Sequence, residues 1–455
     1  MNINKKTFLS QAFVQLTMFS TIPIVVAFLS EIDRTIWLIF FTISTLNPIF
    51  LLGFESSILR ISSYLAGGVG TIQAEGFSEI SDDAKVDVKL YLKFVHSVRK
   101  VFIWLSLIIL ILLLIFGTFY FHNLNSGKFT EQRIIVAWTF FALALYINNV
   151  QIYRDSVLRG FNNQLQVNLA YIASRVTFVF LSIYSTNVFS DGLLCVVVSY
   201  LISIVQLRLM ITKHWKNLNT FLKVNTQEQD GEFAYSFNLL WKNSIKTALV
   251  FVGSFLTLRF GILVAPHVAT IKDSANYILF TTLILGIAGV STELAKIFLP
   301  YLHISQLEKI QVKIVEVFSQ MYSIAITSFF LGVGALFVFW KAVFACFASI
   351  GDLPTTLVLS ISCVTLLELT NSIYTMLISS NNSVPHWKSS LYSGFGNLFF
   401  LAILSQKFSI VGIILSQLIS GVFWNYWGWI RKASILYGVN PYSASILGFR
   451  IFLRR

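Results

Sequence analysis

The chain has 455 residues, a formal net charge of +13 and 56% hydrophobic residues, but only 12% charged residues. Soluble domains carry about 25% charged residues, so this composition excludes a chain built mainly of soluble domains. Retention of basic loops on the cytoplasmic side explains the positive charge of a membrane protein, and nucleic acid is therefore not an expected partner.

Long apolar stretches predict an all-α integral membrane protein. The stretch from Val101 to Phe121 contains no charged residue, and about 20 apolar residues cross a bilayer as a helix. This stretch lacks the alternation of polar and apolar residues that a transmembrane β-strand shows. The apolar pattern predicts about twelve spans, in chain order 8–30, 35–59, 101–121, 132–154, 166–186, 192–212, 244–265, 275–299, 317–340, 353–379, 389–405 and 409–430.

The distribution of basic residues predicts that both termini are cytoplasmic. With the N-terminus inside, 24 of the 33 Lys and Arg residues lie in inside segments and six lie outside, in agreement with the positive-inside rule. Weak repeats, such as Gly53 before Arg60 and Gly289 before Lys296, indicate two halves of six spans, which in transporters pack around a central site. The predicted domains are an N-terminal six-helix bundle (1–212), a cytoplasmic linker (213–243), a C-terminal six-helix bundle (244–430) and a cytoplasmic tail (431–455).

The sequence contains no motif that indicates an enzyme, a cofactor site or a metal site. It lacks the glycine-rich phosphate loop of an ATPase and any Cys/His cluster with the spacing of a metal site. Packing in apolar surroundings accounts for the three cysteines, which are Cys195, Cys346 and Cys363.

Basic residues at membrane depth are candidate functional residues, because a charge in lipid is costly unless it faces a cavity or a partner. Arg175 lies about nine residues into the fifth span, ~13 Å deep at 1.5 Å per residue. Arg259 and Lys246 lie in the seventh span. For all three residues the alternative is a long side chain that reaches back to the interface.

Two acids are candidates for coupling transport to a proton or another cation. Glu368 lies deep in the tenth span. Glu55 lies near the inner end of the second span, where an ion pair with Arg60 is the alternative. Local ion pairs are expected for the other acids near helix ends, Glu293 with Lys296 and Asp155 with Arg154.

Two stretches carry a resemblance to a transporter family. In "LLGFESSILRISSYLAGGVG" (51–70), a glycine and a short polar stretch precede Arg60, and Ser63, Tyr64 and small residues follow. In "SVLRGFNNQLQVNLAYIASRV" (156–176), the fourth span ends in Leu-x-Gly and a polar turn. These patterns, with the length and the twelve spans, resemble the Wzx-type O-antigen and polysaccharide flippases of the multidrug/oligosaccharidyl-lipid/polysaccharide (MATE-like) superfamily.

The resemblance implies a function in lipopolysaccharide and O-antigen biosynthesis. Such a flippase moves an undecaprenyl-diphosphate-linked oligosaccharide from the cytoplasmic to the periplasmic leaflet of the bacterial inner membrane, without a cofactor. A polysaccharide polymerase and a chain-length regulator would be further partners. The resemblance also implies a cationic central cavity, for which Arg175, Arg259 and Lys246 are the candidates.

Other functions remain as alternatives. A MATE-type drug or cation antiporter would favour acids in its cavity, whereas deep bases here match or outnumber deep acids. A membrane-embedded polymerase or glycosyltransferase usually has a large periplasmic loop, and the predicted outer loops are short. Lipid II flippases typically carry two more spans, and no selectivity-filter motif supports a channel.

Overall fold

The described part of the protein is α-helical and contains no β-strand, which confirms the predicted all-α membrane fold. The computed structural model describes residues 28–66, 86–124, 131–189, 191–222, 233–308, 310–344, 354–380 and 384–453, with the single residues 6, 10, 13, 14, 17 and 68. The chain divides into two compact units, Met1–Phe251 and Val252–Arg455. The predicted domain boundaries stay a prediction.

Within the described ranges from residue 28 onward, the helices that belong entirely to the first unit are α1 (Glu31–Ser44), α2 (Asn47–Phe50), α3 (Phe54–Ala66), α4 (Val88–Leu124), α5 (Glu131–Gln151), α6 (Tyr153–Gly160), α7 (Gln164–Val188) and α8 (Gly192–Phe221). Helix α9 (Phe233–Leu258) contains the division between the units. The second unit continues with α10 (Phe260–Val268), α11 (Ile271–Lys296), α12 (Leu299–Glu308), α13 (Gln311–Phe344), α14 (Thr355–Ser379), α15 (Trp387–Trp424), α16 (Tyr426–Tyr437) and α17 (Pro441–Leu453).

Nine helical segments within the described ranges are long and apolar enough to cross a bilayer. Several extend beyond the predicted spans, because helical hydrogen bonding continues where the chain leaves the hydrocarbon. The predicted span 101–121, for example, lies in the C-terminal part of α4, and the helix begins earlier, at Val88. The predicted first span, 8–30, lies mostly outside the described residues, and the number of twelve stays a prediction.

The second predicted span, 35–59, is broken into α1, α2 and α3. Pro48 at the first turn of α2 has no N–H to donate, so the helix of α1 does not continue through Asn47. Leu52 and Gly53 then adopt positive φ angles of 51° and 64°. Glycine is required at the second position, because a Cβ on Gly53 would lie 3.0 Å from the carbonyl oxygen of Ser244 on α9.

A cluster of charges fixes the first turns of three helices at one end of the first unit. The Arg133 guanidinium on α5 binds Asp191, the N-cap of α8, at 2.6 Å and Asp33 on α1 at 3.0 Å. Partial burial raises the pKa of Asp191, but hydrogen bonds from Arg133 and from the Leu194 N–H outweigh that effect, so the pKa is lowered. The predicted second, fourth and sixth spans, which begin in α1, α5 and α8, therefore start at the same end of the unit. A chain that crosses the membrane back and forth requires this arrangement.

Aromatic side chains fill the core behind this cluster. Phe40 on α1 contacts Trp138 and Phe141 on α5, with ring centroids 5.1 and 5.2 Å apart. The Trp138 indole N–H donates to the carbonyl of Leu113 on α4 at 3.0 Å. Gly117 leaves the space that this indole occupies, because a Cβ there would overlap the ring.

Helix α15 is a hairpin of two helices, which agrees with the predicted spans 389–405 and 409–430. Ser409 has a φ angle of 51° and a ψ angle of −127°, outside the helical region. Gly412 packs against the backbone of Leu404, and Gly396 packs against the Trp424 ring. A straight helix would separate Gly396 from Trp424 by about 42 Å, so the chain reverses at Ser409.

The segment expected to be a cytoplasmic tail, 431–455, contains most of α16 and all of α17. Helix α17 packs along α13 through small residues. Gly448 lies against Ser319 and Ser323, and the Ser323 hydroxyl donates to the carbonyl of Ser445 at 3.1 Å. Small residues let helix backbones approach closely within membranes, and this contact makes α17 part of the second unit.

This contact predicts that Gly448→Ala destabilises the protein. The added Cβ would overlap the Ser323 hydroxyl and the Ser319 carbonyl, and overpacking costs about 1–3 kcal/mol. The midpoint of thermal unfolding of the purified protein should fall. Gly428→Ala on α16 is the control, because a Cβ there has no neighbour within 4 Å. Equal unfolding midpoints for the two variants would contradict the observed packing of α17.

Candidate functional site

A cavity of about 210 Å³ lies among α1, α5, α7 and α8 of the first unit. We call it the first-unit pocket. Aromatic and small polar residues line it, and Arg175 is the charged residue among them. Its lining residues are Trp37, Phe41, Ser44, Asn148, Tyr171, Ser174, Arg175, Phe178, Tyr200, Ser203, Ile204 and Leu207.

Helical spacing brings these side chains together. On α7 the lining residues are Tyr171, Ser174, Arg175 and Phe178, which follow the three- and four-residue spacing of one helix face. The same spacing relates the lining residues of α8. The Ser174 hydroxyl donates to a carbonyl of α8, that of Ser203, at 2.7 Å. This bond joins the two helices at the wall of the pocket.

Arg175, which the sequence places near the middle of its span, lines this pocket. Its Nη1 donates to the carbonyl of Val14 and lies 3.5 Å from the Thr17 hydroxyl. The guanidinium carbon lies 5.8 Å from the centroid of the Tyr171 ring, a cation–π arrangement. No acidic side chain pairs with Arg175 among the residues that the structure describes.

A buried ion pair beneath Tyr171 supports the pocket. Both terminal nitrogens of Arg208 bind the Asp155 carboxylate, at 2.8 and 3.1 Å. The Tyr171 hydroxyl donates to the same carboxylate at 2.6 Å, and Arg208 also donates to the side-chain oxygen of Asn148 at 2.8 Å. Arg208 is 2% exposed and Asp155 is 4% exposed. The pair therefore holds the polar atoms of two pocket-lining residues.

The expected pairing of Asp155 with Arg154 is wrong. Successive residues of a helix point in different directions, and side chains at i and i+1 do not face each other. Arg154 instead donates to Thr212 at 2.8 Å and to Gln151 at 3.0 Å. The sequence offered one signal for the true partner, because Arg208 interrupts the otherwise apolar face of α8.

Glu55 lies within electrostatic range of this network. The charged groups that act on it are Asp155, Arg159 and Arg208. The side chain of Arg60, the alternative partner, lies outside the described residues. The structure therefore brings Glu55 close to the ion pair beneath the first-unit pocket, and its role in coupling stays a prediction.

Arg259 lies at a break in the seventh predicted span, between α9 and α10. Side-chain amides of the α15 hairpin satisfy the carbonyl oxygens that the break releases. Asn397 donates to the carbonyl of Leu256 at 2.7 Å, and Gln417 lies 3.5 Å from that of Leu258. The Arg259 guanidinium makes no hydrogen bond or ion pair with the described residues. Its charge is therefore not needed to satisfy the released carbonyls.

The two remaining candidates lie in separate units. Lys246 is a half-buried residue of α9 in the first unit, and its ammonium makes no ion pair with the described part of the chain. Glu368 lies on α14 of the second unit and faces Asn425 and Tyr426. Its Oε2 and the Tyr426 hydroxyl are buried without a hydrogen-bond partner in the described ranges. Neither placement tests the predicted roles.

The other expected local pair is confirmed. The Lys296 ammonium binds the Glu293 carboxylate at 2.6 Å, three residues apart on α11. Both side chains are partly exposed, at 41% and 30%. This pair therefore offers a control for the buried pair of the first unit, because exposed ion pairs contribute little to stability.

The Asp155–Arg208 pair predicts a large difference between single and double variants. Arg208→Met leaves the Asp155 carboxylate buried and uncompensated, which costs about 3–5 kcal/mol. Adding Asp155→Asn removes that charge and keeps an acceptor for Tyr171, so part of the stability should return. The exposed control Lys296→Met should cost at most about 1 kcal/mol. Thermal unfolding of the purified variants measures these effects, and a single Arg208→Met variant as stable as the control would refute the prediction.

No protein-family model and no curated protein sequence matches the chain. Solved structures do match it over nearly its whole length. The lipid II flippase MurJ, in an inward closed conformation, matches with a TM-score of 0.63 and 14% identity, over 98% of this chain and 90% of that one. A MATE protein in complex with MaL6 matches with a TM-score of 0.60 and 15% identity, over 94% of this chain and 95% of that one.

A third match is a MOP superfamily transporter from Pyrococcus furiosus, for which a binding pocket of reverse polarity suggests a different function. Its TM-score is 0.57 with 15% identity, over 96% of this chain and the whole of that one. At these identities the likeness concerns the fold. The chain is a multi-pass membrane protein with the fold that these flippases and transporters share.

Proposed function

We propose that the protein is a flippase that translocates an undecaprenyl-diphosphate-linked oligosaccharide, an O-antigen or related repeat unit, from the cytoplasmic to the periplasmic leaflet by alternating access. The placement of Arg175 carries this proposal. A guanidinium at membrane depth lines a cavity and has no acidic partner among the described residues, and such a charge attracts an anionic headgroup. The fold of a lipid II flippase supports the same substrate class.

The remaining candidate residues take roles in this transport. Arg259 and Lys246 add positive charge toward the diphosphate and any acidic sugars of the substrate. Glu368 and Glu55 are the coupling acids, which exchange a proton or another cation during the cycle. A polysaccharide polymerase and a chain-length regulator act on the product in the periplasm.

A MATE-type antiporter is the second candidate, and one observation favours it. Glu368 is a buried carboxyl group that lacks a cationic partner in the described part of the second unit, and a cationic substrate could supply that partner. The two candidates differ in the charge of the substrate. A cation carrier would not depend on Arg175, whereas a carrier of an anionic headgroup would.

The proposed topology predicts opposite locations for two loops. The protein is placed in the bacterial inner membrane with both termini cytoplasmic, because basic residues concentrate in the predicted inner segments. A reporter fused after Lys128 should read as periplasmic, and one fused after Lys223 as cytoplasmic. Readouts from the same side for both fusions would contradict the topology.

Deletion of the gene should stop assembly of the surface polysaccharide and leave lipid-linked repeat units on the inner leaflet. Arg175→Ala should fail to restore the polymer, because the pocket loses its charge for the headgroup. Export is measured by complementation, normalised to the amount of protein in the membrane. Lys407→Ala, which removes an exposed cation, is the matched control and should complement fully.

Two results would count against this proposal. Normal long-chain polymer in the deletion strain, with no second flippase present, would exclude the flippase function. Full export by Arg175→Ala at normal abundance would show that this arginine does not bind the substrate. Reduced abundance of Arg175→Ala would instead indicate a structural role for its bonds to Val14 and Thr17.

A further inference from the structure

The first-unit pocket has one net positive charge. Arg175 is the charged residue among its lining residues. Beneath the pocket, Asp155 neutralises Arg208 directly. A ligand with one negative charge is therefore neutralised here. A diphosphate would retain at least one uncompensated charge, which is costly at membrane depth.

The free edge of the Arg175 guanidinium matches a carboxylate. Its Nη1 is occupied by Val14 and Thr17, while its Nε and Nη2 make no hydrogen bond with the described residues. These two N–H groups lie side by side in the plane of the guanidinium and bind the two oxygens of one carboxylate bidentately.

Two wall hydroxyls are hydrogen-bond acceptors toward a ligand. The Ser44 hydroxyl donates its proton to the carbonyl of Phe41 at 2.6 Å, and the Ser203 hydroxyl donates to that of Tyr200 at 2.7 Å. Each oxygen is therefore left with acceptor capacity only. Hydroxyl groups of a sugar can donate to these oxygens, whereas the oxygens of an ionised phosphate cannot.

Aromatic rings form the apolar wall of the pocket. Trp37 stacks on Phe178 with centroids 5.7 Å apart, and the Tyr200 ring meets both edge-on at 5.8 Å. Such rings pack against the apolar C–H face of a sugar. The volume of about 210 Å³ is below the 300–1,000 Å³ of pockets for drug-sized ligands, which favours a single ring.

We infer that the first-unit pocket binds one sugar ring that carries a carboxylate, with Arg175 as the ligand of the carboxylate. This inference rests on the proposed function and names the part of the substrate that the pocket takes. The aromatic wall receives the face of the ring, and Ser44 and Ser203 accept hydrogen bonds from its hydroxyl groups. The sugar carboxylate is then the part of the anionic headgroup that Arg175 attracts, and the diphosphate of the lipid carrier lies outside this pocket.

The test is ligand binding to the purified full-length protein in lipid nanodiscs. Trp37 lines the pocket, so tryptophan fluorescence is recorded during titration with glucuronate, glucose, inorganic pyrophosphate and benzoate. A parallel titration of Trp37→Phe identifies the part of the signal that comes from the pocket. Glucuronate should give a saturable change at a concentration about tenfold or more below that needed for glucose, as expected for one charge-assisted bidentate contact. Pyrophosphate and benzoate should bind more weakly than glucuronate.

Variants of the protein then test whether Arg175 supplies the charge that binds glucuronate. Arg175→Gln should raise the half-saturating concentration of glucuronate to that of glucose, and Lys407→Gln should leave it unchanged. Ser203→Ala, which keeps the charge, should weaken glucuronate and glucose binding alike. The comparison among ligands uses the wild-type protein, so it remains decisive if Arg175→Gln fails to fold.

Three results would overturn the inference. Pyrophosphate binding at least as tightly as glucuronate would make the pocket a phosphate site. Equal binding of benzoate would make it a site for a carboxylate on any ring. The absence of a Trp37 signal with glucuronate would exclude a sugar acid. None of these results excludes flippase activity, because complementation of the deletion strain measures that activity separately.

Discussion

The requirement that polar groups inside a bilayer find partners within the protein determines much of this structure. Lipid offers no hydrogen bonds, so each break in a membrane helix releases backbone groups that side chains must satisfy. At the break beside Arg259, Asn397 from the α15 hairpin reaches the released carbonyl of Leu256. At the break of the second span, the Asn47 side-chain amide donates to the Asn149 side-chain oxygen at 2.7 Å, a bond that ties the irregular segment to α5 without satisfying a released backbone group.

The same requirement explains why the first-unit pocket has rigid walls. Tyr171 contacts the Arg175 guanidinium with its ring and the Asp155 carboxylate with its hydroxyl. Asn148 is held by Arg208, which is itself held by Asp155. A wall fixed in this way loses little side-chain entropy when a ligand binds. In the proposed function, the ion pair thus contributes to recognition although neither of its members lines the pocket.

Sequence reasoning could predict what depends on local pattern. Apolar runs located the membrane helices, because the bilayer imposes a minimum apolar length on each span. The spacing of Glu293 and Lys296 was enough to predict their ion pair, since both side chains lie on one face of α11. The sequence also predicted that the chain reverses between its last two spans. It did so although the turn at Ser409 is short and no long polar loop separates the two helices.

Contacts between distant segments were not predictable from one sequence. Asp155 and Arg208 are 53 positions apart. Helix geometry argues against the adjacent Arg154, but no local spacing identifies a partner at that distance. The packing of α17 along α13 was also missed, because basic residues at the end of the chain favoured a cytoplasmic tail. Small residues such as Gly448 give a weak signal for close helix packing, and it can be read only when the facing helix is known.

Arg208 and Arg175 of the first unit show why depth alone does not identify a functional residue. Arg208 is more deeply buried than Arg175, yet both of its terminal nitrogens bind Asp155 and its charge is neutralised. Arg208 therefore shows how this protein neutralises a buried arginine whose role is structural. Arg175 lies on the other side of Tyr171, with one nitrogen bonded and a cavity beside it. Since an acid could have neutralised Arg175 as Asp155 neutralises Arg208, the lack of an acidic partner among the described residues is better explained by a ligand that arrives and leaves.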